Sequence, residues 1–369
     1  MKVTVLQEEL SKLLSFSSRF VSSRSQLPIL ENFVFEAKGT RLIVRATNLE
    51  TSLVASVGAK VEIEGALAVP AKTINDLVSN LTGEKLVMES LKESLKLTCD
   101  GFRATLAGMN TSDFPVLVEK IEKDAIEIAG RVLVEGLSKV LPSVSRDDTR
   151  PVLTGVLFSF DSDTPTLNLV ASDGFRLSQK KVNLKTKVVA PAIILPRGVL
   201  GEIVRLAEEQ DVTMEVRRAE NQVVFGLPEI TLGSRVIEGE FPSFERIIPK
   251  ETRVKVEVNK EEFMNAVKLG SIFARDGSNI VKLTVGETGV NVSAVSAKSG
   301  KQEMEIVGKV SGEGVQISYN YRFLEELLGV IEGESVEMEF TDEASPGVFR
   351  DPKDPDFFHL IMPVRVQGE

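Results

Sequence analysis

The sequence predicts an α+β protein built from three tandem copies of one domain, each with two helices packed on antiparallel sheets. Three observations carry this. A strand–loop–strand unit is written three times. A second set of markers repeats at the same spacing. Each copy shows two helical stripes among many short alternating strands.

The unit is clearest from Arg150 to Leu177, where apolar runs flank Asp161-Ser162-Asp163-Thr164-Pro165 and a tight turn follows at Asp173-Gly174. Its counterparts begin at Pro28-Ile29-Leu30 and at Asn279-Ile280-Val281. Ala68-Val69-Pro70-Ala71-Lys72 answers Ile194-Leu195-Pro196-Arg197-Gly198 and Ser318-Tyr319-Asn320-Tyr321-Arg322, and Asp113-Phe114-Pro115 answers Glu240-Phe241-Pro242. The markers recur about 125 residues apart, far longer than a solenoid repeat, so each copy is expected to own a core. The expected domains are 1–118, 124–248 and 253–369.

In copy one, Val3 to Leu6 reads as a strand, and Gln7 to Ser23 as a helix with Leu10, Leu13, Leu14 and Val21 on one face. In copy two, Ala125 to Ala129 is the strand and Val132 to Val144 the helix. In copy three, Val254 to Val258 is the strand and Asn259 to Phe273 the helix, with Asn259 a suitable N-cap. Second helices are expected at Ala71 to Leu81, Gly198 to Glu208 and Tyr321 to Ile331. The paired runs opening at Pro28 and Arg150 read as strands.

Composition narrows the function. Hydrophobic content of 42% with 27% charge is that of a globular protein. The single Cys99 rules out a disulfide framework and fits a reducing cytoplasm. The start, Met1-Lys2-Val3-Thr4-Val5, alternates like a strand without a signal-peptide apolar block, and Val188 to Pro196 is too short to span a bilayer. No membrane association is expected.

Catalytic chemistry has little to stand on. His359 is the only histidine, so a His-based triad or multi-His metal site is excluded; its expected role is that of a surface or packed residue. Ala297-Lys298-Ser299-Gly300-Lys301-Gln302 lacks the leading glycine and the Ser/Thr of a phosphate loop and reads as a hairpin turn. Carboxylates such as Glu8-Glu9 and Glu325-Glu326 fall on helices as solvated faces. We expect no enzyme, no cofactor and no metal.

Net charge is −10. That total argues against a nucleic-acid binder, but its distribution is uneven. The six expected helices with their flanks carry slightly more Lys and Arg than Asp and Glu, so the acidity lies elsewhere. A basic helical lining inside an acidic shell would concentrate a polyanion at the lining.

Three tandem copies, Leu27-Pro28-Ile29-Leu30, Arg150-Pro151-Val152-Leu153-Thr154-Gly155, Ser172-Asp173-Gly174-Phe175-Arg176-Leu177, Phe241-Pro242-Ser243-Phe244 and Met362-Pro363-Val364-Arg365 occur in one order. Together they resemble the sliding clamps, the beta subunits of bacterial DNA polymerase III, over essentially the whole chain. The family's turn Thr-Asp-Gly-His-Arg-Leu here has Ser172 and Phe175, which removes a polar ring from the family's partner pocket.

The resemblance implies a head-to-tail homodimer whose six clamp domains form a ring, with helices lining the hole. Such a ring tethers the replicative DNA polymerase to double-stranded DNA for processive synthesis, without sequence preference and without its own active site. A clamp loader opens and closes it, and other proteins with a clamp-binding motif share it. The alternative is a repeat-built protein-interaction scaffold that does not encircle DNA.

The site residues follow from the same resemblance. DNA contacts fall on Arg24, Arg146, Arg150 and Arg197, with Lys12, Arg19 and Arg205 as weaker candidates from helical position. The dimer interface sets Ile272 and Phe273 against Ala104 and Leu106. A peptide pocket takes Leu153, Ser172, Gly174, Phe175, Arg176 and Leu177 from copy two, with Pro242, Arg246 and Ile247 after it. Copy three adds Asn320, Phe323, Pro346, Leu360, Met362, Pro363, Val364 and Arg365. Independently, the tail His359 to Arg365 is apolar where chain ends are usually polar, and Pro363 cannot continue a ladder.

Overall fold

The computed structural model describes residues 1–22, 26–122, 125–207, 210–276 and 278–365. Element order repeats three times. The first repeat runs β1 (Lys2–Leu6), α1 (Gln7–Ser17), β2 (Asn32–Lys38), β3 (Arg41–Thr47), β4 (Thr51–Ile63), β5 (Gly65–Pro70), α2 (Ala71–Asn80), β6 (Lys85–Leu91), β7 (Ser94–Cys99) and β8 (Phe102–Ala107). The second runs β9 (Ile126–Ile128), α3 (Gly130–Val140), β10 (Gly155–Phe160), β11 (Thr166–Ser172), β12 (Arg176–Asn183), β13 (Ile193–Pro196), α4 (Arg197–Leu206), β14 (Val212–Arg217), β15 (Gln222–Leu227) and β16 (Ile230–Arg235). The third runs β17 (Val254–Asn259), α5 (Lys260–Ala274), β18 (Ile280–Val285), β19 (Gly289–Ser296), β20 (Gly300–Gly312), β21 (Val315–Asn320), α6 (Tyr321–Val330), β22 (Ser335–Phe340), β23 (Gly347–Asp351) and β24 (Asp354–Ile361).

Local chemistry sets the helix ends. Asn259 accepts the Glu262 N–H and Asn320 the Arg322 N–H, capping α5 and α6. Helix α1 stops at Ser17, short of the expected Ser23, and continues as a 3-10 turn over Ser18–Phe20. Ser17 and Ser18 donate their hydroxyls back to the carbonyls of Leu13 and Ser15, which competes with the ladder at this end. Helix α3 ends at Val140 because Pro142 follows, and Leu141–Ser143 tighten into a 3-10 turn. The runs at Pro28 and Pro151 also open as 3-10 turns, with proline at the first position, so their strands begin only at Asn32 and Gly155.

Within each repeat the two helices pack together, α1 on α2, α3 on α4 and α5 on α6, over the apolar side of alternating strands. In β22 the inward set is Val336, Met338 and Phe340. Gly136 lets α3 approach β11 and β12: a β-carbon there would stand 2.8 Å from Val182 and 2.9 Å from Leu169. On α5, Gly270 lets the helix sit close to Val281, 3.1 Å from where a β-carbon would stand.

Strand pairing ignores the repeat boundaries. The chain divides into two compact units, Met1–Ala129 with Glu209–Val236, and Gly130–Glu208 with Ile237–Glu369, so the central repeat contributes to both. In the first unit, β4 pairs with β1 and β3 and also with β16, setting Ala55 opposite Ile230 and Leu53 opposite Leu232. In the second, β12 pairs with β24, setting Arg176 opposite Ile361 and Ser178 opposite His359. Each seam therefore lays the last strand of one repeat on the fourth strand of the repeat before it. No helix of the described residues is long and apolar enough to cross a membrane.

Candidate functional site

The β11–β12 hairpin, the segment after β16 and the end of β24 converge on a largely apolar cleft of about 230 Å³. Residues 172 to 176 build one wall. Ser172 Oγ donates to the Arg176 carbonyl at 2.7 Å and accepts the Gly174 N–H at 3.1 Å. Asp173 Oδ1 accepts the N–H groups of Phe175 and Arg176 at 2.9 and 3.0 Å. This Asx-type turn places Gly174 at φ 90, a conformation that disfavours side chains.

The opposite wall is Phe241, Pro242, Ser243, Phe244 and Ile247, with the Phe241 and Phe244 rings edge to face at 6.3 Å. Leu153, Leu177, Leu360 and Met362 form the apolar interior. Val170, Leu177 and Leu360 are its buried base, and Leu157, Phe241, Phe244, Ile248, Phe358 and Met362 pack on them. The tail is pinned on both sides of Pro363. Met362 N–H donates to the Phe175 carbonyl and Val364 N–H to the Ser318 carbonyl, each at 2.8 Å. That holds the thioether of Met362 over the cleft after the ladder has ended at Ile361.

Arg176 is more tightly held than a contact residue need be. Its guanidinium stacks 4.4 Å over Phe323, lies 3.0 Å from Asp173 Oδ2 and 2.7 Å from Glu326, and donates to the Pro142 carbonyl at 2.6 Å. It is 7% exposed. The side chain fixes the wall while its aliphatic stem borders the cleft.

Of the residues expected in a peptide pocket, Leu153, Ser172, Gly174, Arg176, Leu177, Pro242, Ile247, Leu360 and Met362 line this cleft. The others stand apart from its lining. Phe175 is at the turn tip, 65% exposed, and Arg246 is exposed in the 3-10 turn Phe244–Arg246. Asn320 caps α6, Phe323 lies beneath Arg176, and Pro346 and Pro363 are half-buried. Val364 and Arg365 line a separate cavity of about 460 Å³ beside Ser318. Sequence reasoning misses Phe241, Ser243 and Phe244 as walls, although Phe241-Pro242-Ser243-Phe244 is one of its markers.

Arg150 is exposed and also borders the cleft, where a β-carbon on Gly174 would come within 3.3 Å of its guanidinium nitrogen. Arg24 lies outside the described residues. Arg146 is exposed beyond the 3-10 turn ending α3, and Arg197 is half-buried as the first residue of α4. Lys12 and Arg205 turn back to Glu8 and Glu202 on their own helices, at 2.6 and 2.8 Å.

Two polar clusters lie under the β12–β24 seam. Ser143 Oγ, Ser178 Oγ and His359 Nδ1 form a chain with steps of 2.8 and 2.7 Å. Burial, and secondarily the charge of Arg176, push the His359 pKa down to about 3, so this imidazole is neutral and structural. Nearby, Lys180 and Lys139, both buried, place their ammonium groups 2.6 and 2.5 Å from Asp354. Burial works against that carboxylate, but its hydrogen bonds to the two lysines outweigh it and hold its pKa below the usual range. Among the described residues no group of three or more His, Cys, Asp or Glu is placed to hold a metal ion.

The residues expected at a dimer contact fall on two elements. Ala104 and Leu106 sit half-buried on β8, which ends its sheet. Ile272 on α5 is 50% exposed, whereas Phe273 packs onto the core of the third repeat. Val295 and Val307, on β19 and β20, are 74% and 80% exposed.

Three family descriptions match the chain in order: the DNA polymerase III beta subunit N-terminal domain over residues 1–118, its central domain over 127–243 and its C-terminal domain over 245–365. The beta sliding clamp of Staphylococcus epidermidis is 27% identical, covering 99% of both chains. Among solved structures, the C. crescentus beta sliding clamp is 28% identical with a TM-score of 0.93, covering 99% of each chain. The Thermotoga maritima DNA polymerase III beta subunit is 27% identical with a TM-score of 0.91, with the same coverage.

Proposed function

Because the chain belongs to the DNA polymerase III beta subunit family, and is a DNA sliding clamp without an active site, we propose how its own residues carry that function. Two chains close a ring around double-stranded DNA, and the cleft of the second unit receives the clamp-binding peptides of the replicative polymerase, the clamp loader and other partners.

One observation carries the ring. Both seams within the chain join the last strand of a repeat to the fourth strand of the preceding one, β16 on β4 and β24 on β12. One such pair remains unused: β8, the last strand of the first repeat, and the Gly300–Ile306 half of β20, whose one strand partner among the described residues is β19. A second copy offers each edge its missing partner, and a heterologous contact that closes makes a ring. Transposing the β4–β16 register sets Ala104 opposite Gln302 and Leu106 opposite Gly300. The exposed Ile272, Val295 and Val307 supply apolar surface on that side.

Enclosure also reconciles a net charge of −10 with DNA as the partner, since the ring is held by topology and needs only weak phosphate contacts. Arg24, Arg146, Arg150 and Arg197 are the proposed contacts, and the cytoplasm the proposed compartment. The three domains are proposed at 1–118, 124–248 and 253–369. The test is retention: protein loaded on nicked circular DNA stays bound through gel filtration and is released when the circle is cut once. Equal retention on both forms would falsify enclosure.

A further inference from the structure

Beyond the Phe244 wall of the cleft lies a second, polar groove of about 620 Å³. Phe244 lines both, and Leu157, which packs on the cleft's base, forms the near end of the groove. Its floor is the outer face of β10, β11 and β12, where alternation presents Ser159, Asn168, Gln179 and Lys181 while Phe158, Leu169 and Val182 face the core.

The groove runs from Leu157 to Asp161, four strand steps of about 3.3 Å, which gives roughly 13 Å, the reach of about four extended residues. Its charges are unequal. Asp161 is committed to its own turn, accepting the N–H groups of Asp163 and Thr164 at 2.7 and 3.1 Å, and it faces Lys181. Glu245 and Asp356 line the groove and make no ion pair among the described residues.

We propose that peptides anchored in the apolar cleft continue into this groove through a flanking segment of about four residues bearing lysine or arginine. The proposal rests on the cleft being the peptide site. Continuity through Phe244 fixes where the extension must run, and the unpaired Glu245 and Asp356 fix its charge. The neutral amides and hydroxyls of the floor accept polar side chains without demanding a sequence.

The test is fluorescence anisotropy on the full chain. The probes are a labelled core peptide of the Gln-x-x-Leu-Phe type and versions extended at either end by Gly-Lys-Gly-Lys, Gly-Glu-Gly-Glu or Gly-Ser-Gly-Ser. A basic extension at one end should tighten binding about fivefold over the Gly-Ser control, as two exposed ion pairs would. The gain should shrink at high salt. Glu245→Gln with Asp356→Asn should abolish it and leave core binding unchanged. Equal affinity of basic and neutral extensions, or a gain that survives the double substitution, overturns the groove alone. A core peptide that fails to bind, or binds Met362→Ala as tightly as the parent chain, overturns the cleft and the groove with it.

Discussion

Ser178 Oγ lies 2.7 Å from Nδ1 of His359, across the pairing of β12 with β24. His359 is the chain's one histidine and is held neutral by burial. The unfolded imidazole binds a proton near its ordinary pKa of 6.5, the folded one near 3, so between these values the unfolded state takes up more protons. The contribution is complete above pH 6.5 and is lost as pH falls toward 3. We expect about 2 kcal/mol of lost stability between pH 6.5 and pH 5 from this group. Urea unfolding at several pH values measures it. His359→Gln should flatten that part of the profile, and an unchanged slope would count against a buried neutral imidazole.

Asp354 answers two buried ammonium groups. Asp354→Ala should cost about 3–5 kcal/mol, since it leaves Lys139 and Lys180 without their nearest counter-charge. Adding Lys139→Met and Lys180→Met should restore much of the loss. Thermal denaturation of the single and triple variants checks both statements, and a neutral single substitution contradicts the ion cluster.

Met362→Ala should weaken a Gln-x-x-Leu-Phe-type peptide by about tenfold or more, a cost of roughly 1.4 kcal/mol from the apolar surface removed. Circular dichroism should show the fold intact, because Met362 is only half-buried and follows the last ladder residue. Truncation for the same purpose must spare Ile361, which is fully buried.

Leu106→Arg should convert the dimer to monomer at micromolar concentration, measured by light scattering. A charge opposite Gly300 would be buried in the proposed β8–β20 edge without a partner. Ile272→Ala is the milder companion. Phe273→Ala is a poorer probe, since that ring packs on its own core. A Leu106→Arg chain that stays fully dimeric removes β8 from the interface.

Arg146→Ala with Arg197→Ala should weaken DNA binding and reduce the dependence of log K on log salt by about one unit for each phosphate no longer neutralised. Stability should change by about 0.5 kcal/mol or less for the exposed Arg146. An unaltered salt slope at equal loading would place the DNA-facing cations elsewhere.

The repeat and most helices are legible in the sequence because their signals are local: an apolar stripe such as Leu10, Leu13 and Leu14, or a cap such as Asn259. Periodicity overextends α1 because Ser17 and Ser18 look harmless until their hydroxyls turn back on the helix. It starts the strands at Asn32 and Gly155 too early because apolar residues after proline fit a strand and a 3-10 turn alike. The cleft is partly visible through its turn and apolar tail. Its aromatic wall, Arg150, and the burial of Lys139 and Lys180 depend on packing between residues far apart in the chain, and nothing beside those lysines in the sequence distinguishes them from solvated ones.

Because β14, β15 and β16 pack with the first repeat and β10 to β13 with the third, the central repeat cannot be excised as a module. Cut out alone, it would bare the β16 edge that β4 covers and the β12 edge that β24 covers. Exposed strands of that kind invite aggregation. Domain shuffling within this lineage would therefore have to move a strand-lending neighbour together with its recipient, so that the heritable unit is the seam and not the repeat.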